Sequence, residues 1–585
     1  MAGRAELIRS VINPMLLHSF HVYAWPKMLL DKVQRWIRNF LWSGDILLQK
    51  LVTVSWSIVS SSKESGGLGI RHIHSINKAA LLKSMWEVLH SNSAWSKLVI
   101  SKYDIKQTKA SHTYKISSIW PGLRRALTDI DLHSRWIIGN GFKVNIWENV
   151  WLQSELIPKN NANLSHRSSV DSLIEEKKWK IPPWFRHQYP YLINSIQQIT
   201  LPEENRSDIL IWPYSKKGNI SFKDAFNHYH PSATVQWTKH LWKPFISPRI
   251  STLYWKIMHN KLPTQENLQK RGMIFVPRCE ICKKNTDSIH HVFIECPLAT
   301  QLWRWIWFVF KISSPHPNYV SSLWECIGNQ NLSKQVFNLW VGACQVALYS
   351  IWGIRNNVIF RAAKPLVAAT LNYIKCWLQD LAAIVPGHMN NCIEDLSILN
   401  SIGVTGVPPS CPKIIEVIWT PPHFSWHKAN TDGLAFGSPG RAAIGGIFRN
   451  YRGFSKGAFS KFIGIHNAFE AELLAFMQAI EIAWEKNWRK LWVEMDSKAV
   501  VNCVMDHQFK PPWCVLTQWA NCKAKMSQMQ LHITHIYREG NQVADYLSKM
   551  GIHFNLLQWW PSFPPRIGHL LGHDYASMPS YRFNN

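Results

Sequence analysis

Lys428-Ala-Asn-Thr-Asp-Gly433 reads as the end of a strand, with Asp432 its last side chain before a glycine. A second apolar run, AAIGGIFRN at 442–450, follows at once. Working outward, three further acids fall at comparable places. Glu472 lies early in the helix-like segment FEAELLAFMQAIEIAWEKN, Asp496 ends the apolar run KLWVEMD, and Asp545 sits in EGNQVADYLSKM, which reads as a late helix. Three Asp and one Glu at strand ends and helix starts are what a protein needs to hold two divalent cations against a phosphodiester. Converging carboxylates repel one another, and bound cations relieve that repulsion. Strands are expected near 424–435, 442–449 and 456–463, joined by glycine-bearing turns as an antiparallel meander. Two more, near 490–495 and 530–537, follow helices and should join in parallel through right-handed crossovers.

A chain of 585 residues accommodates three or four domains. Its 46% hydrophobic and 12% aromatic content argues for folded domains throughout. The formal net charge of +28 calls for a polyanionic partner, nucleic acid first among them. That charge is spread along the chain: residues 1–110 hold 15 Lys+Arg against 6 Asp+Glu, and 424–550 hold 15 against 10. The 11 Cys lack the dense, even spacing of a secreted disulfide scaffold. Glu6 and Arg9 interrupt what would be the apolar core of a signal peptide. The most apolar long run, Val336 to Ile354, contains Asn338, Gln345 and Ser350 and is expected as a buried helix, not a membrane span. The expectation is a soluble intracellular chain without a membrane partner.

A second chemical signal lies at 279–296. Cys279-Glu-Ile-Cys282, a histidine and Cys296 supply three thiolates and one imidazole, enough for a closed tetrahedral zinc site. His290 and His291 compete for the imidazole position. With four protein ligands nothing remains open for substrate, so this zinc would stabilise the fold and perform no chemistry.

The words NTDG at 430–433, EAELLA at 470–475, VEMDS at 493–497 and REGNQVADYLSK at 538–549 resemble the ribonuclease H domain that ends plant non-LTR (LINE-type) retrotransposon polyproteins. AGRAELIRSV, FLWSG, GGLGIRHI and the Lys-Tyr at 102–103 are similar to the region just after the polymerase in that family. HVFIEC and the segment from Leu241 to Gly272 resemble its reverse-transcriptase zinc-binding domain, and IWGIRNNVIF the spacer before the nuclease. The resemblance implies Asp432, Glu472, Asp496 and Asp545 as catalytic, metal-binding acids, with Glu472 preferred to Glu470. It favours His291 over His290, giving Cys279, Cys282, His291 and Cys296 as zinc ligands. Lys428, Arg441 and Arg449 are candidate nucleic-acid contacts.

The implied activity is two-metal hydrolysis of the RNA strand of an RNA–DNA hybrid with Mg2+ or Mn2+, beside a structural Zn2+. The substrate suggests the nucleus. The other reading is a nucleic-acid-binding remnant without turnover. No Asp-Asp pair occurs anywhere, so no reverse transcriptase activity is expected, and the chain reads as a fragment of a longer polyprotein. No histidine occupies the loop between Arg538 and Asn541, where many cellular ribonucleases H carry a mobile one, so weak turnover is expected.

The expected organisation is multidomain. A post-polymerase region spans 1–110 and an intermediate α+β region 111–235. The zinc-binding domain spans 236–330, a helical spacer 331–412, the ribonuclease H-like domain 413–560 and a tail 561–585. The N-terminal and zinc-binding regions should be mainly α. The C-terminal domain should be α/β, a mixed five-stranded sheet with helices on both faces.

Overall fold

The computed structural model describes residues 1–585 apart from 51, 107–108, 111–116, 153–168, 232, 275, 315–316, 329–330 and 585. The chain forms two compact units, one of residues 1–104, 110–127 and 222–410, the other of 105–109, 128–221 and 411–585. The intermediate region expected over 111–235 is therefore divided between them.

The first unit is mainly helical. Its N-terminal helix runs from Ala2 to Phe20 through one wider turn at Ile8–Ile12. Helices Lys27–Ser43, Ile73–His90, Pro248–Met258 and Pro297–Val309 follow. The longest, Lys334–Arg361, carries Val336, Leu339, Trp340, Ala343 and Ala347 at the 3-4 spacing of one apolar face, all buried. Among the described residues it is the one helix long and apolar enough to cross a membrane, yet 72% of its most apolar stretch is buried within the unit. Asp129 and Asp131 lie in the helix Trp120–His133.

The second unit is built on one sheet. Its strands are β1 (His427–Gly437), β2 (Gly440–Arg449), β3 (Ser455–His466), β4 (Lys490–Met495), β5 (Gln530–His535) and β6 (Gln558–Trp560). The helices are α1 (Ala468–Glu485), α2 (Lys498–Met505), α3 (Leu516–Met526) and α4 (Gln542–Gly551). Strand order is β5-β4-β1-β2-β3-β6. β1, β2 and β3 pair antiparallel as a meander, while β4 joins both β1 and β5 in parallel after a helical crossover. The expected five-stranded mixed sheet is thus six-stranded. β6 adds at the β3 edge, with Ala458 opposite Trp560. Gln-Trp-Trp is too short to show a periodicity, and its pairing comes from the exposed edge it covers.

Side-chain alternation along β2 puts helices on both faces. Ile444 and Phe448 pack with Leu473, Phe476, Ile480 and Trp519 from α1 and α3, whereas Ile447 packs with Val543 and Leu547 of α4. Two sheet glycines let those helices come close. A Cβ on Gly433 would stand 2.2 Å from the Glu472 nitrogen, and one on Gly445 2.3 Å from the Ser548 nitrogen. Only glycine permits either approach.

Two further expectations change. Residues 561–585, expected as a tail, return to the unit: Ser580–Asn584 pairs with Lys413–Val417, and the helix Gly568–Tyr575 brings Asp574 to Arg449. The apolar runs on either side of Gly139-Asn-Gly141 suggest a hairpin, but none forms, because Arg135–Ile137 pairs with Ile209–Ile211. The loop instead wraps the buried Asp208, whose carboxylate accepts from the Gly139, Gly141 and Lys143 amides at 2.6–2.9 Å. A carboxylate in a glycine loop satisfies the backbone donors that a strand would have paired. The polar stretch KNNANLSHRSSVDS at 159–172 suggests a loop, and most of it lies outside the described residues.

Candidate active site and cysteine quartet

Asp432 arrives by register. Met495, the last residue of β4, stands opposite Thr431 of β1, so the residue that follows each brings Asp496, just past its strand, beside Asp432. Glu472 is delivered by the start of α1, whose first turn is fixed by a reciprocal cap between Asn467 and Glu470 and which lies against Gly433. One carboxylate oxygen from each of Asp432, Glu472 and Asp496 lies within 4.8 Å of the others.

This trio is short of compensation. Burial, reinforced by the Asp496 charge, pushes Asp432 up to about 7. Burial also raises Glu472 well above the usual carboxylate range and raises Asp496. Glu472 Oε2 and Asp496 Oδ1 are buried with no hydrogen-bond partner. Orphaned buried carboxylate oxygens facing one another are costly unless a cation receives them, and an all-oxygen set suits a hard divalent ion such as Mg2+ or Mn2+. The residues present therefore fit such an ion.

Asp545 stands apart. It lies on α4 beside the trio, close enough for its charge to raise Asp432, but its oxygens bond Arg538 and Lys549 instead. Burial works upward on its carboxyl, and these two cations more than offset it, leaving it below its ordinary value. Two contributors were not evident from the sequence. Ser548, one turn after Asp545, donates to Asp432 Oδ2, and the only signal for it is its i+3 position on the face of α4 that carries Asp545. His535, the last residue of β5, bonds the Asp496 carbonyl at 3.1 Å through Nε2.

Two of the three candidate phosphate contacts are corrected. Lys428 and Arg449 are buried. Lys428 pairs with Glu494 at 2.8 Å and Arg449 with Asp574 at 2.6 Å, and both guanidinium and ammonium face the Trp419 ring. Asn430 completes the layer, accepting from Arg449 and Trp419 and donating to Glu494 and Asn541. This buried network stiffens the strand that carries Asp432; neither cation has a face for a phosphate. Arg441 is exposed, with its guanidinium over Phe462.

In the first unit, one ligand atom from each of Cys279, Cys282, His291 and Cys296 lies within 4.8 Å of the others. Cys282 Sγ meets His291 Nε2 at 3.3 Å, while His291 Nδ1 is turned to Asn285 at 3.3 Å and to Glu295 at 3.6 Å. His290 points elsewhere, to Glu295 at 3.0 Å and the Tyr319 ring. A hydrogen bond to Cys296 pushes the Cys279 thiol up and holds Cys296 down. Three sulfurs and one imidazole, with the second ring nitrogen held by neighbours, fit a closed zinc site.

A ribonuclease H-like sheet bearing converging acids and a separate Cys-His quartet together define a class of protein. Residues 221–303 match the family described as zinc-binding in reverse transcriptase, and 430–551 match the family described as reverse transcriptase-like. An Arabidopsis thaliana relative, provisionally named a ribonuclease H protein, is 26% identical over 98% of this chain and 93% of its own length. An uncharacterized mitochondrial protein of the same plant is 27% identical over 24% of this chain and 93% of its own. Among solved structures, ribonuclease H1 of Halobacterium salinarum is 23% identical, covering 22% of this chain and 98% of that one, with a TM-score of 0.20. The chain is a retroelement-derived protein with a ribonuclease H domain at its C-terminal end.

Proposed function

We propose that the C-terminal domain hydrolyses the RNA strand of RNA–DNA hybrids, with divalent cations held by Asp432, Glu472 and Asp496. The observation that carries this reading is the converging trio itself, in which the buried oxygens Glu472 Oε2 and Asp496 Oδ1 lack partners. Bound Mg2+ or Mn2+ would lower the pKa of an attacking water and stabilise the charge on the leaving oxygen. The chain's own part is positioning. Asp432 and Glu472 give up the protons that burial leaves on them when a cation is received. Ser548 holds one Asp432 oxygen, and the Asn430 layer keeps β1 from shifting. Asp545 adds negative charge from beside the trio as the fourth catalytic acid.

The quartet Cys279, Cys282, His291 and Cys296 is proposed to hold a structural zinc. The held position of Asp545 between Arg538 and Lys549 favours the second reading, binding of nucleic acid without turnover. Incubation of the full chain with a labelled RNA–DNA hybrid, with and without Mg2+, separates the two. Cutting confined to the RNA strand, dependent on Mg2+ and lost in Asp432→Asn, is the expected result. Retention of the hybrid without cutting would leave the binding-only reading.

A further inference from the structure

Outside both sites, His466, Glu470 and Cys514 bring three different ligand atoms within 4.8 Å of one another. We propose that they form a second zinc site, open in one coordination position. His466 is the last residue of β3, Glu470 the third residue of α1, and Cys514 lies in the single turn Trp513–Val515. The His466 Nδ1 to Glu470 Oε2 distance is 3.1 Å, and the Cys514 thiol bonds the same carboxylate.

The three positions are held before any metal arrives. Asn467 Oδ1 accepts from the Glu470 amide at 3.0 Å, and Glu470 Oε2 accepts from the Asn467 amide at 3.3 Å, so the carboxylate is anchored through one oxygen. The Cys514 turn is tied by Trp513 N donating to Lys216 O at 3.2 Å and Val515 N to Pro512 O at 3.1 Å. His466 is fixed by its strand pairing with Gly440.

The donor set selects the ion. One imidazole, one carboxylate and one thiolate are all zinc ligands, and three protein ligands plus water is the arrangement of an open zinc site. A thiolate is a poor partner for Mg2+ or Ca2+, so the ion chosen here differs from the one suited to the oxygen trio. Thiolate and carboxylate side by side repel when both are ionised, and a dication cancels their combined charge. The cluster is open to solvent, since Cys514 is exposed and 20% of the His466 side chain and 13% of the Glu470 side chain remain accessible. Glu470 and Glu472 lie two residues apart on α1 and so project to different sides of it. Zinc at Glu470 therefore leaves the trio's ligands untouched, while stiffening the helix start that delivers Glu472.

Zinc bound per full-length chain, titrated against a chromophoric chelator under reducing conditions, tests this site. Wild type should take two equivalents, Cys514→Ser one and Cys282→Ser one. His466→Gln, at a half-buried position, should lose the same equivalent as Cys514→Ser with an unchanged circular dichroism spectrum. In the cobalt-loaded chain, Cys514→Ser should lower the thiolate-to-cobalt charge-transfer band by about a quarter, one thiolate of the four in the two groups. One equivalent in wild type, or a Cys514→Ser chain that binds as much zinc as wild type, would overturn the proposal. Neither result bears on the nuclease reading, which the hybrid assay decides separately.

Discussion

The acid trio and the cysteine quartet each gather ligand atoms within 4.8 Å of one another, as a metal requires, yet they are assembled in opposite ways. The quartet closes within the span from Cys279 to Cys296, around one turn and one helix start. The trio draws Asp432 from a strand, Glu472 from a helix and Asp496 from just past a second strand, and depends on parallel register and on glycines at sheet positions. A local site is written in its spacing; a distributed one needs the whole fold. Metal at the quartet should therefore act on folding, and metal at the trio on chemistry.

The strongest way to break that contrast is Asp432→Asn. Removing this ligand should abolish cleavage of a labelled hybrid, a loss larger than the roughly 10–100-fold that follows when only a ligand's supporting partner is removed. The chain should stay folded, because an uncharged side chain relieves the repulsion that raises Asp432 and Glu472. Cys282→Ser should do the reverse. Zinc content falls by one equivalent and limited proteolysis of the first unit accelerates, while Mg2+-dependent cutting is reduced far less. If both variants lost folding alike, the contrast would fail.

Gly433→Ala sharpens it further. The added methyl meets the backbone of Ala471 and Glu472, so α1 must retreat, at a stability cost of about 1–3 kcal/mol by thermal melting. Activity should fall with it, since Glu472 moves away from its partners.

A smaller effect is a pH slope in the metal-free chain. The folded state holds protons on Asp432 and Glu472 that the unfolded chain releases near its ordinary carboxylate values. The part due to Asp432 is full below about pH 4 and is lost as pH rises through about 7, and Glu472 contributes in the same direction. Saturating Mg2+ should flatten the slope, and Mg2+ affinity should rise over the same range as the protons leave. A melting temperature that climbs with pH across this window in the absence of metal would contradict the assignment. Smallest of all, Lys549→Ala removes an exposed ion pair and should change stability by about 1 kcal/mol or less. Its interest lies in activity, because it loosens Asp545.

Much of this was legible in the sequence. Asp496 at a strand end, the meander followed by crossovers and the Cys-His spacing all show as local pattern, whereas Asp432, read as ending its strand, lies inside β1, which continues to Gly437. What was not legible depended on partners far along the chain. Lys428 and Arg449 read as surface cations because nothing near them announces burial; their counterions, Glu494 and Asp574, come from other strands or the last helix. Gln558–Trp560 gave no periodicity to read, and the Asp208 loop mimicked a hairpin because glycine turns serve both uses. The position of Asp545 in the sequence groups it with the other acids, whereas its ion pairs follow from the Arg538 and Lys549 rotamers.

The Arg449–Asp574 pair has a consequence for synthesis of the chain. Arg449 ends β2, an interior strand of the sheet, fully buried, and its carboxylate partner is made 125 residues later. Until the ribosome has delivered Asp574, the nascent sheet would have to close over an uncompensated guanidinium, at a cost of about 3–5 kcal/mol. The ribonuclease H-like domain is thus completed only once Asp574 has been made, and a chain cut before that residue should fold poorly. A sheet laid down early in the domain is in this way vetted by the helix Gly568–Tyr575 that follows it.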